Sequence, residues 1–164
     1  MLARTTTVAY VGLGSNLDDP IAQVGRALRE LAGLPETRLI RTSALYRTAP
    51  MGPANQPDYI NAVAELQTSL SPPALLEALQ CLERAHARVR TAERWGPRTL
   101  DLDVLLYGDN VLEDPQLCIP HPGLAVRAFV LIPLAEIAPT LMVPGLGPLS
   151  GLLAALDPQG IERL

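Results

Sequence analysis

Apolar and β-branched side chains dominate residues 6–13 and predict a first strand. Gly12-Leu13-Gly14-Ser15-Asn16 predicts a tight turn directly after it. Asp18 and Asp19 are candidate N-caps, Pro20 suits the first helical position, and Ile21, Val24, Leu28 and Leu31 recur at helical spacing. That pattern predicts a helix running to about residue 32 and closed by Gly33. Residues 38–48 predict a second strand, and residues 49–58, with three prolines, a loop. Residues 59–66 predict a third strand, with Ile60, Ala62, Ala64 and Leu66 on one face and Tyr59 and Asn61 on the other. Ser71-Pro72-Pro73 opens a second helix whose core stripe is Leu75, Leu79, Leu82, His86 and Val89. The periodicity lapses over residues 90–97, and residues 99–107 predict a fourth strand.

Strand, helix, strand, strand, helix, strand is the βαββαβ order of an α+β, ferredoxin-like sandwich, here expected as a single domain over residues 1–164. A helical and extended C-terminal extension follows. Residues 108–110 form a turn, Val111-Leu112 a short strand, and residues 127–137 a third helix that Pro133 interrupts or kinks. Residues 139–149 read as extended and residues 152–156 as a terminal turn.

At 164 residues and 48% hydrophobic, the chain is long and apolar enough for a packed core, which excludes disorder. No apolar run approaches the roughly 20 residues that span a bilayer, and residues 1–7 lack a secretory apolar core, so a cytoplasmic protein is expected. Cys81 and Cys118 are too few for a disulfide framework and too far apart for a zinc spacing, and read as buried free thiols. All 13 basic residues are arginine, which removes a Walker lysine, a Schiff-base lysine and a kinase-type strand lysine. The net charge of −4 argues against a general nucleic-acid binder. Positive charge is nonetheless concentrated at Arg84, Arg88, Arg90, Arg94 and Arg98.

Asp101 and Asp103 carry the sharpest chemistry. Two positions apart on a strand, they project together while Leu100, Leu102, Val104 and Leu106 face the other way. Oxygen ligands without thiolates suit Mg²⁺, and the neighbouring guanidinium forks suit phosphate oxygens. Arg94 and Arg98 bracket Trp95-Gly96-Pro97 directly before the pair, more specific than an isolated Asp-x-Asp. Gly12-Leu13-Gly14 is not a dinucleotide fingerprint, because Leu17 stands where a third glycine belongs. Ser15 lacks a nucleophile elbow. His86 falls on the apolar stripe and reads as a satisfied core or boundary histidine. His121 stays open between a capping role and a phosphate or metal-shell contact.

The chain resembles the 6-hydroxymethyl-7,8-dihydropterin pyrophosphokinases of folate biosynthesis over nearly its whole length. The resemblance rests on Gly12-Leu13-Gly14-Ser15-Asn16-Leu17, Ser43-Ala44-Leu45-Tyr46-Arg47-Thr48, Gln56-Pro57-Asp58-Tyr59-Ile60-Asn61-Ala62, residues 94–103, Ile119-Pro120-His121-Pro122 and residues 127–139. It implies a cytoplasmic catalytic domain that moves pyrophosphate from ATP to the hydroxymethyl group of the reduced pterin and releases AMP. Two Mg²⁺ ions held by Asp101 and Asp103 are implied, with Arg88 and Arg98 as catalytic arginines. The implied ATP contacts are Leu76, Gln80, Glu83, Arg90, Trp95, His121 and Arg127. For the pterin they are Thr48, Ala49, Met51, Tyr59, Asn61, Trp95 and Phe129. A flat heterocycle takes aromatic faces above and below, and its amide edge takes a paired donor and acceptor such as Asn61.

Three positions depart from the pattern: Ala49 replaces a proline of many members, Gln116 an arginine and Pro122 an aromatic of some. An RNA-binding module on the same sheet is the competing class, disfavoured by 4% aromatic content and acidity, and a small-ligand-binding domain is a third. Neither a nucleic acid nor a membrane is an expected partner.

Overall fold

The computed structural model describes residues 5–17, 19–49, 57–87, 100–158 and 160–164. Asp18, Met51, Arg88, Val89, Arg90, Arg94, Trp95 and Arg98, singled out above, lie outside them. The chain runs β1 (Thr7–Ser15), α1 (Pro20–Leu31), β2 (Thr37–Thr42), β3 (Tyr46–Thr48), β4 (Tyr59–Thr68), α2 (Pro72–Ala87) and β5 (Asp101–Tyr107). There follow the hairpin β6 (Leu112–Asp114) and β7 (Leu117–Ile119), a 3₁₀ turn at Leu124–Val126 and α3 (Ala128–Ile137). The hairpin β8 (Met142–Val143) and β9 (Gly147–Pro148), α4 (Leu149–Ala154) and β10 (Ile161–Arg163) complete the described elements. The main sheet has the order β10-β3-β4-β1-β5, with β2 also on β4, and every pairing is antiparallel.

Alternation along β1, β4 and β5 splits the interior into two layers. Val11 and Leu13, Ile60 and Ala62, and Leu102 and Val104 face α1 and α2, where Val24, Leu31, Leu75 and Leu79 are fully buried. On the opposite face Tyr10, Val63, Leu105 and Leu106 pack against Leu131 and Leu134 of α3 and Leu149 of α4. The C-terminal extension is therefore a covering layer for the second face of the sheet. α3 is apolar nearly all round, as a helix sunk into a core must be. Pro133 sits inside it and deletes only the N–H that would have reached the Phe129 carbonyl.

Several boundaries differ from the pattern for local reasons. The stretch read as one second strand is broken at Ser43, whose N–H donates to the Val63 carbonyl while its Oγ accepts the Val63 N–H. A side chain thus replaces a ladder group. Gly12 and Gly14 belong to β1 and not to a turn, because both pair with β4 on one side and β5 on the other. Leu106 sits on the α3 side and not with Leu102 and Val104: a bulge leaves Val11 opposite Val104 and Tyr10 opposite Leu106, so Leu105 is the extra residue. Val111 lies just outside β6 and is exposed. The extended C-terminal reading resolves into β8 and β9, and the final helix starts at Leu149. Cys81 is exposed and Cys118 half-buried, so the expectation of two buried thiols fails.

The helix starts follow their caps. Asp19 Oδ1 accepts the Ala22 N–H at 3.4 Å, and Ser71 Oγ accepts the Ala74 N–H at 3.3 Å. Between these helices His86 is wholly buried, with Nδ1 2.6 Å from Gln23 Oε1 and Nε2 2.5 Å from Glu30 Oε1. It is the satisfied core histidine that its place on the apolar stripe predicted. His86→Leu should leave both partners short of a bond and lower stability by about 1–3 kcal/mol in urea denaturation. An unchanged denaturation midpoint would show that the clasp contributes nothing.

Candidate active site

Antiparallel register places three strands side by side beneath one cleft. Gly14 of β1 lies between Asn61 of β4 and Asp101 of β5, and in the next row Gly12 lies between Val63 and Asp103. All six share the sheet face that α3 covers further along. The two glycines leave the middle of this floor without side chains. A Cβ on Gly14 would come within 3.1 Å of Asn61 Oδ1, and one on Gly12 within 3.4 Å of the Leu105 side chain. The result is a cleft of about 400 Å³, lined by Gly12, Gly14, Thr48, Ala49, Tyr59, Asn61, Asp101, Asp103, His121, Arg127 and Phe129 among others.

On the β4 side Asn61 is buried, and its Nδ2 donates to Thr48 Oγ1 at 2.9 Å. That bond orients the amide, placing Oδ1 over Gly14 as an acceptor on the cleft floor. Tyr59, two residues earlier on the same strand face, supplies an aromatic wall, and Phe129 in the first turn of α3 supplies another. The Arg127 guanidinium carbon lies 5.8 Å from the centroid of the Phe129 ring, a cation–π arrangement. Space for it depends on Gly123, where a Cβ would be 2.5 Å from Arg127 Nε.

On the β5 side His121 faces the acidic pair, with Nε2 3.9 Å from Asp103 Oδ1. Its backbone N–H donates to the Leu105 carbonyl at 3.0 Å, and the Gly123 N–H donates to its Nδ1 at 2.9 Å. Nδ1 is thus the acceptor, and this hydrogen-bond network assigns the ring proton to Nε2, which points into the cleft. Burial pushes the His121 pKa below the ordinary histidine value, Asp103 pulls it up and Arg127 pushes it further down. The open question about His121 is therefore narrowed to a neutral imidazole aimed at the acidic side of the cleft.

Of the residues singled out in the sequence, Thr48, Ala49, Tyr59, Asn61, Asp101, Asp103, His121, Arg127 and Phe129 converge here. Leu76, Gln80 and Glu83 lie on α2 and do not line this cleft; Glu83 Oε2 instead accepts the Leu102 N–H at 2.9 Å. Gln116 and Pro122 are exposed. Among lining residues, the pattern did not single out Gly12 and Gly14 as floor positions, nor Val63, Leu105 and Val130. Two glycines two positions apart inside an otherwise strand-like run were the available signal for the floor.

A family model described as 7,8-dihydro-6-hydroxymethylpterin-pyrophosphokinase (HPPK) matches residues 10–139. A 2-amino-4-hydroxy-6-hydroxymethyldihydropteridine pyrophosphokinase of Pseudomonas aeruginosa is 53% identical over 155 residues, covering 94% of this chain and 95% of its own length. One of the same description from Haemophilus influenzae is 49% identical over 136 residues, covering 83% of this chain and 84% of that one. In fold, the chain is similar to a crystal structure of Plasmodium falciparum HPPK-DHPS with SDX-DHP, at a TM-score of 0.79 and 15% identity. That likeness covers 98% of this chain and 49% of the other, so this chain spans about half the length of that protein. The class is thereby a mixed α/β pyrophosphokinase built on an antiparallel sheet. The chain belongs to the 7,8-dihydro-6-hydroxymethylpterin-pyrophosphokinase family and transfers pyrophosphate from ATP to the pterin hydroxymethyl group in folate biosynthesis. The RNA-binding and small-ligand alternatives fall with that finding. Among the described residues, no helix is long and apolar enough to cross a membrane.

The lowered His121 pKa has a defined consequence for stability. The unfolded chain binds the proton more tightly, so this contribution is present above the unfolded value near 6.5 and lost as pH falls through the folded value. An NMR titration should show His121 ionising below 6.5, and His121→Asn should flatten the stability slope in that window. Ionisation at or above 6.5 in the folded protein would contradict the burial argument.

Proposed function

We propose that the cleft binds the pterin at its β4 side and the phosphates at its β5 side, so that transfer runs across the glycine floor. The observation that carries this is the row Asn61–Gly14–Asp101, which sets an amide and a carboxylate on either side of a residue with no side chain. Tyr59 and Phe129 hold the faces of the pterin, and the Asn61 amide, tied by Thr48, reads its polar edge. Ala49 and Met51 are proposed as further pterin contacts and Trp95 as a contact of both substrates, on the family resemblance. Leu76, Gln80, Arg90, His121 and Arg127 take the nucleotide, together with Glu83. The neutral His121 donates from Nε2, and the Arg127 guanidinium supplies fixed positive charge near the phosphate path.

Asp101 and Asp103 are proposed as the ligands of two Mg²⁺ ions. The donor set fits: two carboxylates on one strand face, all-oxygen chemistry, and open space left by the facing glycines for phosphate and water ligands. Bound there, Mg²⁺ supplies charge neutralisation for the phosphate oxygens. Arg88 and Arg98 are proposed to stabilise the charge that develops as the pyrophosphoryl group moves, through positioned electrostatics and not covalent chemistry. AMP leaves and the pterin diphosphate remains. The site occupies one catalytic domain, taken to be cytoplasmic, and its architecture is ferredoxin-like; the strand order β2-β4-β1-β5 with α1 and α2 on one face supports that assignment.

Mass spectrometry of a reaction with ATP and the pterin alcohol should find AMP and a diphosphate ester; ADP would refute pyrophosphoryl transfer. Asp101→Ala and Asp103→Ala should each lower kcat by at least on the order of 10²–10³, with unfolding transitions still cooperative. Full activity in either variant removes it from the metal site. Gly14→Ala should displace Asn61 and raise KM for the pterin by on the order of tenfold, leaving KM for ATP near its original value. Equal effects on both substrates would contradict the division of the cleft.

A further inference from the structure

β5 is an edge of the main sheet, and β1 is its only strand neighbour among the described residues. In an antiparallel edge strand every second N–H points outward and has no ladder partner. The Leu102 N–H, between Asp101 and Asp103, finds its acceptor outside the ladder: Glu83 Oε2 of α2 at 2.9 Å. Glu83 itself is firmly based. It lies one turn beyond Leu79, which is fully buried in the core that also holds the Leu102 side chain. Both ends of the bond are thus anchored in the same packed layer, and the carboxylate is aimed at the strand.

Carboxylates at positions i and i+2 take their separation and direction from the pleat at the residue between them. We propose that Glu83 is a positioning residue for the acidic pair: by holding the peptide N–H of Leu102, it sets the strand so that Asp101 and Asp103 project over the glycine floor in a geometry ready for cation binding. It acts through the backbone of β5, as partners behind metal ligands commonly do for side chains. A helix whose exposed side is assigned to the nucleotide thereby also holds the carboxylates. The inference rests on reading Asp101 and Asp103 as metal ligands.

Two measurements on the full chain test it, one of them without metal or nucleotide. Amide exchange followed by NMR in the free protein should show Leu102 exchanging faster in Glu83→Ala by on the order of tenfold or more, as expected for a lost hydrogen bond. Glu83→Gln keeps an acceptor of the same length and should retain the protection. With an unhydrolysable ATP analogue present, the Mg²⁺ concentration for half-saturation should rise on the order of 10–100-fold in Glu83→Ala and stay near wild type in Glu83→Gln. Unchanged Leu102 exchange in Glu83→Ala overturns the proposal. So does weaker analogue binding with an unaltered Mg²⁺ half-saturation, which would make Glu83 a nucleotide contact alone. Wild-type metal binding in both Asp101→Asn and Asp103→Asn would instead overturn the metal reading, whereas its loss there with normal binding in Glu83→Ala sinks the clamp alone.

Discussion

The central strand β1 holds β4 and β5 on its two sides in fixed antiparallel register, and that register frames the floor of the site. Residues from distant parts of the sequence meet because the ladder sets Asn61 beside Gly14 and Gly14 beside Asp101. Hydrogen bonds alone do not hold that register. Side chains on a strand alternate with period two, so a slip by one residue would turn Val11, Ile60 and Leu102 out of the α1–α2 core. Burial on the helical side thus fixes which residues face the cleft. The same pairing explains the glycines: with carboxylates on one flank and an amide on the other, a side chain on the middle strand would crowd the floor of the cleft.

The second layer completes the arrangement from above. α3 is buried by Leu131 and Leu134 along its length, and its N-cap residue Arg127 and first-turn Phe129 line the cleft. Its far end is tied down independently. The Glu136 carboxylate accepts the Ala44 N–H at 3.0 Å and the Tyr46 hydroxyl at 2.5 Å, with Arg163 at 3.7 Å. Burial, then this bond to Glu136, pushes the Tyr46 pKa up to about 12. β3, which carries Thr48, is thereby braced against the helix that carries Phe129. Two of the walls around the β4 side of the cleft are thus tied to one polar cluster, whose Tyr46 pairs with Asn61 across the β3–β4 ladder.

The order of the secondary-structure elements was legible because strand and helix periods differ so plainly in this chain. The faces of β4 were legible for the same reason, and Asn61 and Tyr59 emerged together on the polar side. Asp101 and Asp103 were legible from their chemistry, since two carboxylates on one face need a cation or a gap. What periodicity could not show were the places where the backbone departs from it. Ser43 interrupts a strand by substituting a hydroxyl for a ladder group, and the extra residue Leu105 turns Leu106 over; neither leaves a distinctive residue type behind. Gly12 and Gly14 misled, because glycine marks a turn in most contexts and here marks a floor. The position of His121 against Asp103 depends on the loop after β7, which carries no periodicity.

The bulge at Leu105 divides β5 into two stretches of opposite phase. Before it, this side of the strand presents Asp101 and Asp103 to the cleft; from it onward, the same side of the sheet receives consecutive leucines that pack into the α3 layer. The extra residue works as a frame change, letting a short strand end one task and begin another without a loop between them. Insertions or deletions on either side of Leu105 therefore have unequal meaning: those before it would misdirect the acids, and those after it would misdirect the packing.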